Sequence, residues 1–182
     1  RGRLAQSWPV DAEQCGDLFD YDTARQQATY RHQPRPFAFA FGHGLTYTTV
    51  DYLSIDLSTA GVTAPAPTHR HPPFAPRADQ AQVTARVRVG NSGARPAEEL
   101  VQVYVRAPRD LAVPAWRNLL VAYRRVRVEP GQTREVELSF ALERLPVWDE
   151  DAGALRVQPG RYEVCAGSSA AHVGASVVLT VS

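Results

Sequence analysis

The chain has 182 residues, of which 44% are hydrophobic and 21% are charged, which are ordinary values for a globular protein. Twenty basic residues, all arginine, stand against nineteen acidic ones, and the net charge of +1 argues against a nucleic-acid binder that works through bulk charge. No apolar run approaches the ~20 residues of a membrane span. The first residues lack the apolar stretch of a signal peptide. We therefore expect no nucleic-acid and no membrane partner, and the sequence assigns no compartment.

Composition divides the chain into three parts. Residues 1–60 mix turn-like and aromatic stretches and predict one or two strands joined by loops. Residues 61–77 hold five prolines, which fix φ and lack an amide donor, so this part is predicted to be an extended connector. Residues 78–182 consist of short alternating runs separated by turn signals. That pattern is typical of an all-β sandwich of immunoglobulin-like or fibronectin-like size.

Alternation of apolar and polar residues predicts the strands of 78–182. In the run 83–89, valine and alanine fall on one face, while Thr84, Arg86 and Arg88 fall on the other. Further strands are predicted over 100–105, within 119–128, over 136–140, over 162–166 and over 177–181. Glu129 to Gln132 has proline second and glycine third, which predicts a type II turn.

The two runs beside that turn constrain the fold. If 121–128 and 133–140 paired directly across the turn, Val126 would lie opposite Glu135. The apolar faces match only if a bulge shifts the register or if the two strands belong to opposite sheets. The sequence leaves both alternatives open.

A glycine-rich element occupies Phe41 to Thr49. Gly42 and Gly44 could bring backbone amides close to a phosphate, but no third glycine or lysine follows at nucleotide-loop spacing. The sequence therefore favours a tight turn that leads into a strand.

The histidines do not predict a ligand set. His69 and His71 could bind a metal ion through two imidazoles, but no carboxylate or cysteine is near them, so a solvated linker is favoured. The remaining histidines, His32, His43 and His172, are scattered and define no catalytic arrangement. We expect no metal and no cofactor.

Two acidic clusters contain the residue type that glycoside hydrolysis uses in pairs, one as acid and one as base or nucleophile. The first comprises Asp17, Asp20 and Asp22, and one hypothesis places it at the border of a pocket. The second spans residues 149–151 (Asp149, Glu150 and Asp151) and is predicted to be an exposed loop.

Arginines on the predicted strands are expected to form solvated sheet faces, with Glu135 and Glu137 as neighbours. These arginines are Arg86, Arg88, Arg125 and Arg127. The tryptophans, Trp8, Trp116 and Trp148, are expected to pack in the core. Cys15 and Cys165 lie 150 positions apart and are predicted to be free thiols, since two cysteines make no disulfide framework.

Several segments, in their order and spacing, resemble one enzyme family. Phe41 to Thr49 looks like the element P-F-G-[HY]-G-L-[ST]-Y-T, and Gly2 to Trp8 and Asp17 to Tyr30 look like stretches that precede it. Asn91 to Val105 resembles N-[ST]-G…E-V-V-Q-[LV]-Y-V, and the later runs 120–126, 130–132, 145–149 and 159–169 resemble the motifs that follow. The family is glycoside hydrolase family 3, the β-glucosidase and β-xylosidase family.

The resemblance implies a mainly β fold. Residues 78–182 would form a fibronectin type III-like β-sandwich of the immunoglobulin-like class. Residues 1–60 would be the C-terminal tail of an α/β sandwich domain, and 61–77 the connector. The segment's partners would then be the catalytic barrel and the α/β sandwich domain of a parent chain.

The same resemblance implies the parent's chemistry. The parent would hydrolyse terminal β-glucosides or related β-glycosides by retaining double displacement, so a carbohydrate substrate would belong to the parent. None of the family's catalytic motifs is present here, so no residue receives a catalytic role and the chain alone is predicted to be inactive. Departures at Ala40, Glu98 and Ala122 leave the preferred sugar open.

Two other hypotheses remain. The chain could be a stand-alone, non-catalytic β-sandwich module that binds carbohydrate or protein, in which case a row of exposed aromatic rings should line one sheet face. It could also be a remnant without function, which would expose Phe37, Phe39 and Phe41.

Overall fold

A computed structural model describes residues 2–69, 82–111 and 115–182. In these ranges the strands, in chain order, are β1 (Val50–Leu57), β2 (Gly61–Val62), β3 (Gln82–Asn91), β4 (Ala97–Arg106), β5 (Leu119–Val128), β6 (Thr133–Ala141), β7 (Val147–Asp149), β8 (Ala154–Arg156), β9 (Gly160–Gly167) and β10 (Val173–Val181). Two short 3₁₀ helices lie at Ala12–Cys15 and Leu142–Arg144. The predicted mainly β fold is confirmed.

Two sheets enclose one core. The first has the strand order β1-β3-β6 and the second the order β2-β10-β9-β4-β5, while β7 and β8 form a separate hairpin. All pairings are antiparallel except that of β2 with β10. The valines and alanine of the run 83–89, and Val101, Val103 and Val105, are fully buried, as the alternation predicts.

The turn between β5 and β6 carries the chain from one sheet to the other. Gln132 N–H donates to the Glu129 carbonyl at 3.0 Å, and Gly131 has φ +71°, so the predicted turn forms. The strand before the turn, β5, pairs with β4, and the strand after it, β6, pairs with β3. Of the two alternatives for register, the strands therefore belong to opposite sheets. Val128 and Val136 accordingly reach the same core from opposite sides.

Residues 50–62 join the sandwich. The sequence places them in the tail and connector, but β1 pairs with β3, and β2 extends the second sheet beside β10. Ile55 is buried in the common core, which explains why this run packs here. A bulge at Leu53 shifts the β1 register. Residues 70–77 of the predicted connector lie outside the described residues.

Residues 2–47, here called the N-terminal segment, are largely irregular. Leu4 N–H donates to the His43 carbonyl at 2.9 Å, and Gly42 N–H donates to the Leu4 carbonyl at 2.8 Å. Trp8 and Phe39 exchange a second pair of backbone bonds. The two stretches that resemble family motifs, 2–8 and 41–49, are therefore neighbours in space. No helix within the described ranges is long and apolar enough to span a membrane.

Candidate functional site

The N-terminal segment meets the sandwich at Gly42. Gln102 on β4 donates from Nε2 to the Gly42 carbonyl at 3.2 Å and to the Ser168 carbonyl at 2.6 Å. Tyr104 OH donates to Gln102 Oε1 at 2.7 Å. Gln102 and Tyr104 are 2% and 0% exposed, although they lie on the strand face opposite the buried valines. The N-terminal segment thus covers the outer face of β4 and satisfies its polar groups.

Only glycine fits at position 42. Its φ is +80°, and a Cβ placed there would lie 2.7 Å from Tyr104 OH and clash with Gln102 Oε1 as well. The glycine-rich element is therefore a tight turn, as predicted, and its first glycine permits the backbone to touch β4. Gly44 likewise permits a close contact with Arg3, because a Cβ there would lie 2.6 Å from Arg3 Cδ.

A buried ion pair fixes the beginning of the N-terminal segment. Arg3 Nη2 donates to Glu99 Oε2 at 2.6 Å, and Tyr52 OH donates to Glu99 Oε1 at 2.9 Å. The side chain of Arg3 is 12% exposed and that of Glu99 is 2% exposed. Burial raises the pKa of Glu99, and Arg3 and Tyr52 offset part of that rise. One carboxylate therefore joins the N-terminal segment, β1 of the first sheet and β4 of the second.

Aromatic rings continue this contact. Tyr30 stacks on Phe41 with ring centroids 4.1 Å apart and meets Tyr104 edge-on at 6.4 Å. The Tyr30 hydroxyl accepts a hydrogen bond from Leu120 N–H of β5 at 3.3 Å. Burial raises the pKa of Tyr104, so this hydroxyl stays protonated and serves as a donor. The contact is apolar and hydrogen-bonded.

The first acidic cluster forms a turn. Asp20 pairs with Arg25 at 2.7 Å, and Asp22 accepts backbone N–H groups of Ala24 and Arg25. Hydrogen bonds from the Asp22 amide and from Arg25 hold the pKa of Asp20 below its usual value, whereas a glycosidase acid needs a raised pKa. Asp22 does border a hollow of about 350 Å³.

The second acidic cluster is an exposed loop after β7, as predicted. Glu150 and Asp151 are exposed. Asp149 accepts hydrogen bonds from Ala152 N–H at 3.1 Å and from Gln158 Nε2 at 3.0 Å, which lower its pKa. The cluster closes the β7–β8 hairpin, and its hydrogen bonds are those of a turn.

The strand arginines form solvated, paired surfaces, as predicted. Arg86 pairs with Glu137 at 2.9 Å, and Arg88 lies opposite Glu135 in the β3–β6 register. Arg127 pairs with Glu129 at 2.6 Å, and Arg125 on the same strand is exposed.

The tryptophans do not behave alike. Trp116 is 8% exposed and packs in the core, as predicted. For Trp8 and Trp148 the core prediction is wrong, because they are 51% and 52% exposed. Trp8 lies in the N-terminal segment and Trp148 on β7, so within the described ranges they form no row on either large sheet.

Histidine and cysteine contacts are local. His43 packs on Phe39, and His172 Nδ1 lies 3.1 Å from Ser169 Oγ within one turn. No group of three His, Cys, Asp or Glu side chains in the described parts of the chain could hold a metal ion. His71 of the candidate pair His69 and His71 falls outside those parts. Both cysteines are free, as predicted, with Cys15 exposed and Cys165 buried.

Comparison with known proteins agrees with this architecture. The fibronectin type III-like domain family matches residues 99–170. A probable β-glucosidase J of Neosartorya fischeri is 36% identical over 146 residues, which cover 79% of this chain and 15% of that protein. A xylan 1,4-β-xylosidase of Xylanibacter ruminicola is 28% identical over 168 residues, which cover 92% of this chain and 17% of that protein.

A solved structure shares the whole fold. The β-D-glucoside glucohydrolase of Trichoderma reesei superposes with a TM-score of 0.78 at 18% identity, covering 100% of this chain and 26% of that one. The chain therefore spans between about a seventh and a quarter of these relatives' lengths. The match includes the N-terminal segment as well as the sandwich.

Proposed function

Because this chain belongs to glycoside hydrolase family 3, we propose that it is the non-catalytic C-terminal segment of a longer β-glycosidase. Its sandwich would hold the end of the preceding α/β sandwich domain in place, and residues 2–47 would be that end. The boundary between the two units then falls just before β1.

The buried contact of Arg3 with Glu99 carries this proposal. A buried charge is tolerated only when it is paired and hydrogen-bonded, and removing one partner of such a pair costs ~3–5 kcal/mol. Here one partner comes from the N-terminal segment and the other from the sandwich, 96 positions away. Such a contact makes the position of the segment depend on an intact sandwich.

Exposed apolar side chains support a further partner for the N-terminal segment. Leu18, Phe19 and Tyr21 are 88%, 88% and 89% exposed, and Leu45 is 82% exposed. These side chains lie on parts of the segment that the sandwich does not cover. Exposed apolar surface of this kind marks an interaction site, and the rest of an α/β domain would cover it.

The names of the relatives support a substrate class for the parent. One matched relative is a β-glucosidase and another a β-xylosidase, so the parent would hydrolyse terminal β-glucosides or related β-glycosides. Two carboxylates of the parent's catalytic domains would perform the chemistry. The acidic clusters of this chain are engaged in turns and supply neither.

The test compares the 182-residue chain with the longer polypeptide that would carry it. Purified 182-residue chain should release no nitrophenol from nitrophenyl β-glucoside or β-xyloside, whereas the longer polypeptide should. Arg3→Met in the longer polypeptide should shorten the half-life of thermal inactivation with little change in KM. Arg86→Met, which removes an exposed ion pair, is the matched control. Turnover by the 182-residue chain, or equal half-lives for the two variants, would contradict the proposal.

A further inference from the structure

A cleft of about 780 Å³ opens between the N-terminal segment and the sandwich. Gln33 to Phe37 form one wall, and the end of β4, residues 115–118 just before β5 and the start of β9 form the other. Five arginines line it, and we call it the arginine cleft: Arg35, Arg106, Arg109, Arg117 and Arg161. They come from four separate stretches of the sequence, so no single motif reveals them.

Positive charge in the arginine cleft is poorly compensated. Glu163 is the one carboxylate among the described lining residues, and it pairs with Arg106 at 3.1 Å. Arg35 pairs with Asp11 outside the cleft at 3.0 Å. Within the described ranges, Arg109, Arg117 and Arg161 form no ion pair. The whole chain carries a net charge of only +1, so this is a local concentration of cations.

A second hollow continues the arginine cleft. It shares Ala115 and Arg117 with the cleft and is also lined by Asp22, Arg25 and His32. Arg25 pairs with Asp20 at 2.7 Å and with Asp22 at 3.9 Å. Burial and the nearby charge of Arg31 lower the pKa of His32, so the imidazole adds no further positive charge near neutral pH. The combined groove therefore presents guanidinium groups as its main charged donors.

Asn118 is one of the residues that line the arginine cleft. It is 8% exposed, its Nδ2 donates to the Ala170 carbonyl at 3.1 Å, and its Oδ1 is buried with no partner among the described residues. A buried unpaired acceptor is uncommon in folded proteins. Asn118 Oδ1 is thus a buried acceptor of the cleft lining for which the described residues supply no donor.

The side chains that line the arginine cleft indicate which class of ligand it binds. Guanidinium groups bind carboxylates and phosphates through two parallel hydrogen bonds. Among the rings of the described lining, Trp116 is buried, Tyr30 is stacked on Phe41, and Phe37 is only partly exposed, so they offer no open platform for a sugar. The cleft therefore fits anionic groups, and carboxylates are the anions that a polypeptide's own side chains supply.

The neighbourhood of the cleft indicates where the carboxylates come from. One wall belongs to the N-terminal segment, which under the proposed function ends the preceding catalytic part. The chain spans 15% and 17% of two curated relatives. Under the proposed function, the rest of a parent protein would precede the N-terminal segment. A segment of that part would reach the groove without loss of translational freedom.

We propose that the arginine cleft receives an acidic segment, bearing Asp or Glu side chains, of the preceding catalytic part of the same polypeptide. This inference rests on the proposed function. The cleft would then be a second anchor between sandwich and catalytic part, made of exposed charge pairs, beside the buried pair of Arg3 and Glu99.

The absence of lysine from these 182 residues allows a direct test. Arg117→Lys and Arg161→Lys, each in the longer polypeptide, introduce a single amine into the cleft. A water-soluble carbodiimide then couples that amine to a carboxylate in contact with it, and mass spectrometry of the digest identifies the partner. Arg134→Lys places a control amine on the exposed face of β6.

We expect both cleft variants to couple to Asp or Glu residues upstream of the 182-residue chain, and the control variant to give no such product. Coupling only to Asp22 or Glu163, or none at all, would overturn the inference. So would an increase in the melting temperature of the wild-type protein with citrate or tripolyphosphate in the absence of an upstream product, since the cleft would then take a free anion.

Charge reversal supplies an independent readout. Arg117→Glu combined with Arg161→Glu should shorten the half-life of thermal inactivation several-fold at low salt and by less in ~1 M NaCl, because salt screens exposed pairs. Arg134→Glu should change it little, and equal effects of the two changes would overturn the inference. If Arg3→Met still destabilises the longer polypeptide while the cleft variants do not, the proposed function stands and only this inference fails.

Discussion

Gln102 on β4 donates a hydrogen bond to the backbone carbonyl of Gly42, a residue 60 positions earlier in the chain. This contact explains two features that the sequence shows separately. Gln102 lies between Val101 and Val103 in the middle of β4, and a glycine occurs in a turn that needs φ +80°. The Gly42 carbonyl accepts a hydrogen bond from the buried Gln102 amide, and the missing Cβ of Gly42 permits this close approach.

Substitution of Gly42 tests this contact. Gly42→Ala should lower the free energy of unfolding of the 182-residue chain by more than ~2 kcal/mol, because it adds a clash with Gln102 to the left-handed strain of ~1–2 kcal/mol. Gly131→Ala is the matched control, since Gly131 has φ +71° and open space around it. It should show the strain alone. Equal losses in urea unfolding would mean that Gly42 does not touch β4 closely.

The buried ion pair predicts unequal effects of its two partners. Arg3→Met leaves the Glu99 carboxylate buried without its cation and should cost ~3–5 kcal/mol of unfolding free energy. Glu99→Gln should cost less, because the amide oxygen can still accept from Tyr52. The exposed pair of Arg86 and Glu137 is the control, and Arg86→Met should cost ~1 kcal/mol or less. Urea titration of the three variants decides the order.

Glu99 also predicts a pH dependence. Because its pKa is raised in the folded chain, the unfolded chain releases this proton first as pH rises above about 4.5. Glu99 therefore contributes stability that is present below that value and is lost as pH rises through the folded pKa. The unfolding free energy of the wild-type chain, relative to Glu99→Gln, should fall with rising pH in this window. A relative gain with rising pH would contradict the raised pKa.

The two thiols should react at very different rates. Burial raises the pKa of Cys165 to about 12, and the residue is fully buried, whereas Cys15 is exposed. Iodoacetamide at mildly alkaline pH should alkylate Cys15 rapidly and Cys165 only after urea unfolds the chain. Peptide mass spectrometry of Cys15→Ser provides the control. Rapid labelling of Cys165 in the folded chain would show that β9 opens easily.

The sequence predicts the inner face of the sandwich well. Val83, Val87, Val101 and Val105 are found where alternation places them, because one buried face imposes a period of two. The turn after β5 also follows from its proline and glycine. For the register beside it, the sequence reduces the possibilities to two, and only the packing of Val128 and Val136 on one core decides between them.

Alternation in the sequence does not predict that the outer face of β4 is buried. Gln102 and Tyr104 occupy positions that alternation assigns to solvent, yet both are buried by residues far away in sequence. A buried polar residue on such a face is recognisable only once its cover is known. The arginine cleft also cannot be predicted from the sequence, because its five arginines come from four separate stretches of the chain.

The contact of Arg3 with Glu99 and the Ser168 carbonyl has a consequence for synthesis on the ribosome. Arg3 emerges 96 residues before Glu99 and 165 residues before Ser168. At bacterial or eukaryotic elongation rates of ~5–20 residues per second, it waits at least about 5 s for its first partner. During that interval Tyr30 lacks Tyr104, the β4 ring that it meets edge-on in the folded chain. The earliest-made part of this chain is thus among the last to acquire its final structure, and chaperones have the most time to act there.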